Sequence, residues 1–386
     1  MKVLILGIDG YIGWPLAQYL ASKGHEVAGV DNKARRHRVE DLGGQSVVPI
    51  ASYRERVEAL GLELYLFSTL AHESLFRVFE DFQPDVVVNL AQNPSAPYSM
   101  QSRNNAVDCI TGNVAGSMNV LWAMKEHVPE AHLITLGTMG EYGTPNGPIL
   151  EPPIILGIPD RHSEKTVRWA EFAHYPRKPS SLYHSTKVAI THDTEAACRF
   201  WGLKATDVMQ GVIYGLEFPG KLEGVVGNTR KDVDEIFGTA LDRFLAQAAV
   251  GHPMTVYGTG RQTRGFLPLR DALQCLELFI DNPPEPGEYR AVNQFDEAYS
   301  IMELATTAYQ IADEFDLDPV IAHVDNPRVE DEDHFYEPET GTLKRLGYKP
   351  AGDLGEECRT TLKAFLAHAD RIRKVEHLLA PKTKWK

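Results

Sequence analysis

Tyr183 stands four residues before Lys187 in the run PSSLYHSTKVA, 179–189. On a helix this spacing puts both side chains on one face, one turn apart. An ammonium near a phenol stabilises phenolate and so draws the tyrosine toward the working range of a general base. Spacing alone does not separate this from an ordinary packing and solvated pair. A second run, LGTMGEYG (136–143), closes a β-rich stretch and offers the hydroxyl of Thr138. Placed opposite the tyrosine, that hydroxyl would hold a substrate alcohol while its proton and its hydride leave.

A hydride needs an acceptor. LILGIDGYIG (4–13) puts Gly7, Gly10 and Gly13, with Tyr11 and Ile12 between them, directly after a strand and at the opening of a helix. Small residues there let the backbone approach a pyrophosphate, and the helix N-terminus stabilises its charge. The next strand ends in Asp31, where a carboxylate accepts hydrogen bonds from both ribose hydroxyls of an adenosine and repels a 2′-phosphate. This order of elements favours NAD over NADP. Asn32 follows, then Arg35 and Arg36, which either stack on adenine or attract a phosphate.

The elements that must position these groups alternate. Strand-like runs at 2–7, 26–31, 62–67, 85–91, 131–137 and 204–211 are separated by helix-like stretches such as 13–23, 72–82, 105–127 and 180–201. The expected fold is α/β, a doubly wound parallel sheet of Rossmann type with a smaller mixed α/β substrate lobe. The lobes are expected at 1–216 and 217–386, with some chain exchange between them. Pro and Gly cluster at 144–160 and 215–227, which predicts long loops over the strands' C-terminal ends. Helices are expected at 232–250, 271–281, 300–316 and 354–377. No internal repeat or low-complexity tract is present.

With 386 residues the chain can bury a full core. Its 53 Asp and Glu against 39 Lys and Arg give a formal charge of −14, which argues against nucleic acid as a partner. No run of about 18 apolar residues marks a membrane span. The strand-like KVLILG begins directly after Met1, so a cytoplasmic protein without a leader is expected. Cys109, Cys198, Cys275 and Cys358 are widely spaced, which suggests buried thiols and no metal site.

The glycine run, Asp31, Thr138 and the Tyr183/Lys187 pair together resemble the extended short-chain dehydrogenase/reductases that act on nucleotide sugars. Longer stretches, among them GIDGYIGWPLA, LGTMGEYGTPN, ATDVMQGVIYG and FGTALDRFLAQAAVGHPMTVYGTGRQTRGFLPLRD, are similar to UDP-sulfoquinovose synthases and cover nearly the whole chain. The resemblance implies a cycle in which a sugar C4 hydroxyl is oxidised, water is lost across C5 and C6, sulfite adds, and C4 is reduced again with NAD recycled. It also implies site residues. Tyr183 is the C4 base, Lys187 its electrostatic partner and Thr138 the hydroxyl anchor, while His184 and Glu141 are further catalytic candidates. Leu90, Ala91, Gln210 and Val212 join the glycines on the cofactor, together with Tyr183 and Lys187. Substrate contacts are expected from Ser95, Tyr98, Met139, Gly140, His184, Gln210, Thr255, Tyr257 and Gln262. Arg264 and Arg328, and less firmly Arg230, are the phosphate partners, because guanidinium forks match diphosphate oxygens. Extended relatives pair the 105–127 and 180–201 stretches across a two-fold axis, so a homodimer is implied.

Three departures stand out against the resemblance. Pro94 replaces an arginine, Ser68 an acidic residue after the third strand, and Met209 an asparagine. The redox set is kept while the polar set on the substrate side has changed. A redox-neutral epimerase of a nucleotide sugar or nucleotide ribose, working without sulfite, is therefore the alternative. A non-catalytic NAD-sensing protein is a third reading, which the intact Tyr, Lys and Thr disfavour.

Overall fold

A computed structural model of the protein describes all residues except 145–146, 161, 163–166, 173, 176, 329–335, 381–382 and 385–386. Strands β1 (Lys2–Leu6), β2 (Glu26–Asp31), β3 (Glu63–Leu66), β4 (Val86–Asn89) and β5 (His132–Leu136) form one parallel sheet with the strands Lys204–Gln210 and Tyr289–Gln294. From edge to edge the order is Tyr289–Gln294, Lys204–Gln210, β5, β4, β1, β2, β3. Chain order therefore reverses between β1 and β4, and a crevice opens at the strands' C-terminal ends there.

The strands read as nearly continuous apolar runs because both faces of the sheet are covered. Side chains alternate between two cores. Val3, Ile5, Val86, Val88 and Ile134 pack with Trp14 and Leu16 of helix Gly13–Ser22 and with Leu273 and Phe279 of helix Leu269–Asp281. Leu4, Leu6, Val87 and Leu133 face Leu75 and Phe79 of helix His72–Phe82 and Val120 and Met124 of helix Gly116–His127. Helix Leu269–Asp281 and strand Tyr289–Gln294, both beyond residue 216, belong to this layer. A second core joins helices Ala240–Val250, Ile301–Glu314 and Leu354–Ala367 to the parallel pair Met254–Tyr257 and Ile321–Val324.

Four expected elements differ. The helix expected from 232 begins at Ala240, where the Thr239 hydroxyl caps it by accepting from Asp242 N. Residues 228–239 turn instead, because Asp234 accepts from the amides of Ile236 and Phe237 and Asp232 ion-pairs with Arg230 and Arg35. The stretch 105–127 is interrupted at Thr111–Ala115 by a π-turn that aims Asn113 inward. Part of the loop expected at 144–160 is a strand, Ile154–Pro159, paired antiparallel with Val167–Phe172. The last helix stops at Ala367 and restarts at Ala369–Arg373.

Candidate active site

The crevice at the chain reversal widens into a cavity of about 1010 Å³ running from the glycine turn to Arg328 and Tyr336. At one end the glycine turn admits nothing larger. A Cβ on Gly7, whose φ is +86°, would lie 2.7 Å from the Leu90 carbonyl carbon, and one on Gly13 would lie 2.3 Å from Gly7 O. Gly10, Tyr11, Ile12, Leu90, Ala91, Gln210 and Val212 line the same end. The Tyr11 phenol donates to Gly215 O at 2.7 Å and accepts from Lys231 Nζ, tying the turn to the second lobe. A backbone cradle of this shape fits a dinucleotide pyrophosphate.

Asp31 ends β2 on the cavity wall and accepts from Asp9 N at 2.9 Å and Lys33 N at 2.7 Å. Burial, with the neighbouring Asp9 carboxylate, pushes its carboxyl up to about 6. Beside it, Asn32 turns back to accept from Ala34 N. Arg35 also lines the cavity, its guanidinium 3.9 Å from the Phe237 ring centroid and bonded to Asp232. Arg36 faces elsewhere. It does not line the cavity but forms a bidentate pair, at 2.6 and 2.7 Å, with Asp9, which does.

Helix Leu182–Trp201, capped by Ser181, brings Tyr183 and Lys187 to the cavity opposite Thr138. The Tyr183 and Thr138 side chains are neighbours on the cavity wall. The lysine behaves differently from expectation. Its Nζ donates to Gln92 Oε1 and Leu136 O and stands 5.8 Å from the Tyr183 ring centroid. Burial pushes the Tyr183 phenol well above its ordinary value and Glu141 adds to the rise, while the neighbouring Thr138 side chain acts the other way. Burial in turn draws Lys187 down to about 8.

His184 lies over Gly140, where an added Cβ would meet its Nε2 at 2.3 Å, and its Nδ1 is 2.9 and 3.0 Å from the hydroxyls of Ser180 and Ser181. Burial, then Arg328, Arg264 and Lys187, lowers its pKa to about 3. This imidazole is neutral at ordinary pH, so it offers hydrogen bonds but does not store a proton.

Glu141 is fully buried and points away from the cavity. It closes a capping box with Thr138, pairs with Arg177, and accepts from Thr191, whose hydroxyl also reaches Asp207 at 2.7 Å. Tyr289 donates to the same Asp207 oxygen. Two buried carboxylates thus lie behind Thr138, of which Glu141 is paired with the Arg177 guanidinium. Burial, reinforced by Asp207, pushes Glu141 up to about 7. The folded chain therefore keeps a proton that the unfolded chain releases above its ordinary 4.5. This stabilisation is complete below pH 4.5 and is lost as pH rises through 7. Glu141→Gln should lose less stability than the parent between pH 5 and pH 7.5 in urea unfolding. An equal loss in both proteins would remove Glu141 as the titrating group.

Ser95, Thr138, Met139, Gly140, Tyr257, Gln262, Arg264 and Arg328 all reach the cavity, as does Arg230, which lies near Asp31 at the glycine-turn end. Two expected substrate contacts do not. Tyr98 donates to Asp108 and stacks on Phe237, and Thr255 is bonded to Gln247 in the second core. Arg230 reaches the wall but is committed to Asp232 through two bonds of 2.9 Å. Pro94 and Ser68 line the cavity. Met209 does not: it is buried with Met139, Tyr142, Ile149 and Phe295 against Gly137, so its exchange for a polar residue leaves the wall unchanged.

Several wall residues escaped the sequence. Gln92 receives the Lys187 ammonium, and Asn113 binds Thr186 Oγ1 and the Asn93 backbone, holding the 93–97 loop to the catalytic helix. Phe237 and Arg243 also face the cavity. Gln92 directly follows the NLA strand end, a place where site residues of such sheets collect. Among the described residues no group of His, Cys, Asp or Glu is placed to hold a metal ion, and no helix is long and apolar enough to cross a membrane.

The sequence pattern of the family described as NAD dependent epimerase/dehydratase matches residues 3–293. Over its whole length the chain is 39% identical to a UDP-sulfoquinovose synthase of Sulfolobus acidocaldarius, covering 98% of that protein. It is 40% identical to the chloroplastic UDP-sulfoquinovose synthase of Spinacia oleracea, covering 79% of it. The UDP-glucuronic acid 4-epimerase of Bacillus cereus, solved with UDP-glucuronic acid and NAD, shares the fold with a TM-score of 0.70 at 18% identity, over 95% of this chain and 99% of that one. With a parallel sheet reversing at β1 and β4, a glycine cradle and a Tyr–Lys–Thr set on one cavity, the chain belongs to the NAD-dependent epimerase/dehydratase family of nucleotide-sugar enzymes, on its UDP-sulfoquinovose synthase-like side.

Proposed function

We propose that this enzyme transiently oxidises a hydroxyl of a UDP-sugar and adds sulfite to the activated sugar, in the manner named by its 39–40% identical relatives. The observation that carries the reading is the Tyr183/Thr138 pair, neighbours on the wall of the one continuous cavity that also contains the glycine turn. Bound NAD supplies a hydride acceptor with one positive charge, which is what the buried phenol lacks. Thr138 holds the sugar hydroxyl, and Tyr183 takes its proton at the phenol oxygen. Lys187 fixes Gln92 and the end of β5 and keeps a cation on the phenol's side of the cavity. Neutral His184, anchored by two serines, orients the sugar over Gly140. Arg264 and Arg328 take the diphosphate.

Pro94 on the cavity wall favours the second reading, a redox-neutral epimerase, because proline brings neither donor nor charge to hold an anion. Incubation with UDP-glucose, with and without sulfite, followed by product mass separates the two. A sulfonate adduct supports the synthase, and unchanged mass with inverted stereochemistry supports the epimerase.

At the other end of the cavity, Asp31 accepts the adenosine ribose hydroxyls. Donors to a carboxylate lower its pKa, so binding releases a proton and NAD affinity should rise with pH through about 6. Calorimetric titration between pH 5 and 7.5 checks this, and a flat profile would take Asp31 out of the ribose site.

The protein is a homodimer in this reading. Val107, Ile110 and Trp122 are exposed on the 103–127 stretch, as are Leu182 and Phe200 on the catalytic helix, and this apolar surface suits a second copy. Four buried, unpaired cysteines suit a reducing compartment such as the cytoplasm.

A further inference from the structure

Among the described residues three arginines are more than nine-tenths buried: Arg56, Arg230 and Arg243. The first is neutralised by Asp9 and the second by Asp232. Arg243 has no such partner among the described residues. Its one hydrogen bond is a long contact of 3.4 Å from a terminal nitrogen to Thr255 O, and its Nε has none. Lys231 takes the adjacent Asp242 carboxylate. A buried guanidinium without a counter-ion is costly, and such groups persist where a ligand completes them.

The surroundings say what kind of ligand. Arg243 lies on the cavity wall one turn into helix Ala240–Val250, whose first residues, with Thr239 and Gly238, also line the cavity. Its guanidinium is 4.6 Å from the Tyr257 ring centroid. Arg328 is an electrostatic neighbour of both Arg243 and His184, whereas Arg264 neighbours His184. From the catalytic tyrosine outward the groups therefore run His184, then Arg264 and Arg328, then Arg243 with Tyr257. Glu235 is the carboxylate whose field reaches Arg243, without ion-pairing to it.

We infer that Arg243 is a third anion-binding arginine of the substrate pocket, taking the phosphate nearer the base of a nucleoside diphosphate, between the Arg264/Arg328 pair and the Tyr257 ring. The helix N-terminus adds its partial positive charge to the same anion. This rests on the nucleotide-sugar reading above and extends it to a residue that sequence motifs did not single out.

Titration of the NAD-loaded protein with UDP, UMP and uridine tests it. Arg243→Gln should weaken UDP and UMP by roughly 10- to 100-fold, the range of a charge-assisted hydrogen bond, and leave uridine unchanged. UDP affinity within threefold of the parent, or equal losses for uridine and UDP, would overturn the assignment. A parent protein that binds none of the three overturns the nucleotide reading itself, and the inference with it. Thermal unfolding gives a second readout. Without nucleotide, Arg243→Met should match or exceed the parent's midpoint, because an uncompensated charge is gone, and UDP should no longer raise that midpoint. A lowered midpoint with the UDP-induced rise intact would make Arg243 structural. Arg243→Lys, which keeps charge but not the fork, should fall between parent and Gln.

Discussion

Tyr183→Phe should bind NAD with parental affinity and lose turnover by about 100- to 10,000-fold, the span of a positioned general base. The substitution removes one oxygen and little else. The ring keeps its place against His184, 5.0 Å between centroids, and the Tyr183 amide still donates to Ser99. NAD affinity and product formation, measured on the same preparation, separate binding from chemistry. Near-parental turnover would take Tyr183 out of the base role.

Gly13→Ala should abolish tight NAD binding, with affinity falling by roughly 100-fold, because small displacements of a binding turn are costly. The added carbon would lie 2.3 Å from Gly7 O and 2.8 Å from Ile8 Cα. Both are backbone atoms of the same turn, so no side chain can move to make room. The turn must open, and with it go the Gly7 amide bond to Val30 O at 2.7 Å and the Gly10 amide bond to Gly7 O. Lower thermal stability without NAD should accompany the lost affinity. An alanine variant that binds NAD within threefold of the parent would show that the turn yields without cost.

The five strands of the first half were legible to within a residue or two, since parallel strands buried on both faces are written as short apolar runs. So was the reactive set. Tyr183, Lys187 and Thr138 meet because a capped helix and a strand end have fixed exits, and both signals are local. What stayed hidden depends on partners far away in sequence. Arg36 is committed to Asp9, 27 residues earlier, and is not itself part of the cavity wall. Residues 232–239 read as helix until Arg230 and Arg35 claim Asp232. Lys187 also bonds Gln92 and Leu136, contacts that its spacing from Tyr183 does not announce. Glu141 could be read either as a catalytic acid or as a structural cap; only its burial against Arg177, away from the cavity, decides for the cap. Arg243 lies in a stretch that carries the family resemblance, which gives it no role, and it becomes informative through the carboxylate that is missing beside it.

Rapid mixing of NAD-loaded protein with UDP-glucose, followed by nicotinamide fluorescence, tests most directly whether a sugar hydroxyl is oxidised at the Tyr183/Thr138 pair. The account predicts a transient rise in the parent protein that decays as product forms, and no rise in Tyr183→Phe. A parent protein that turns substrate over without the transient, or a phenylalanine variant that shows it at the parental rate, would contradict it.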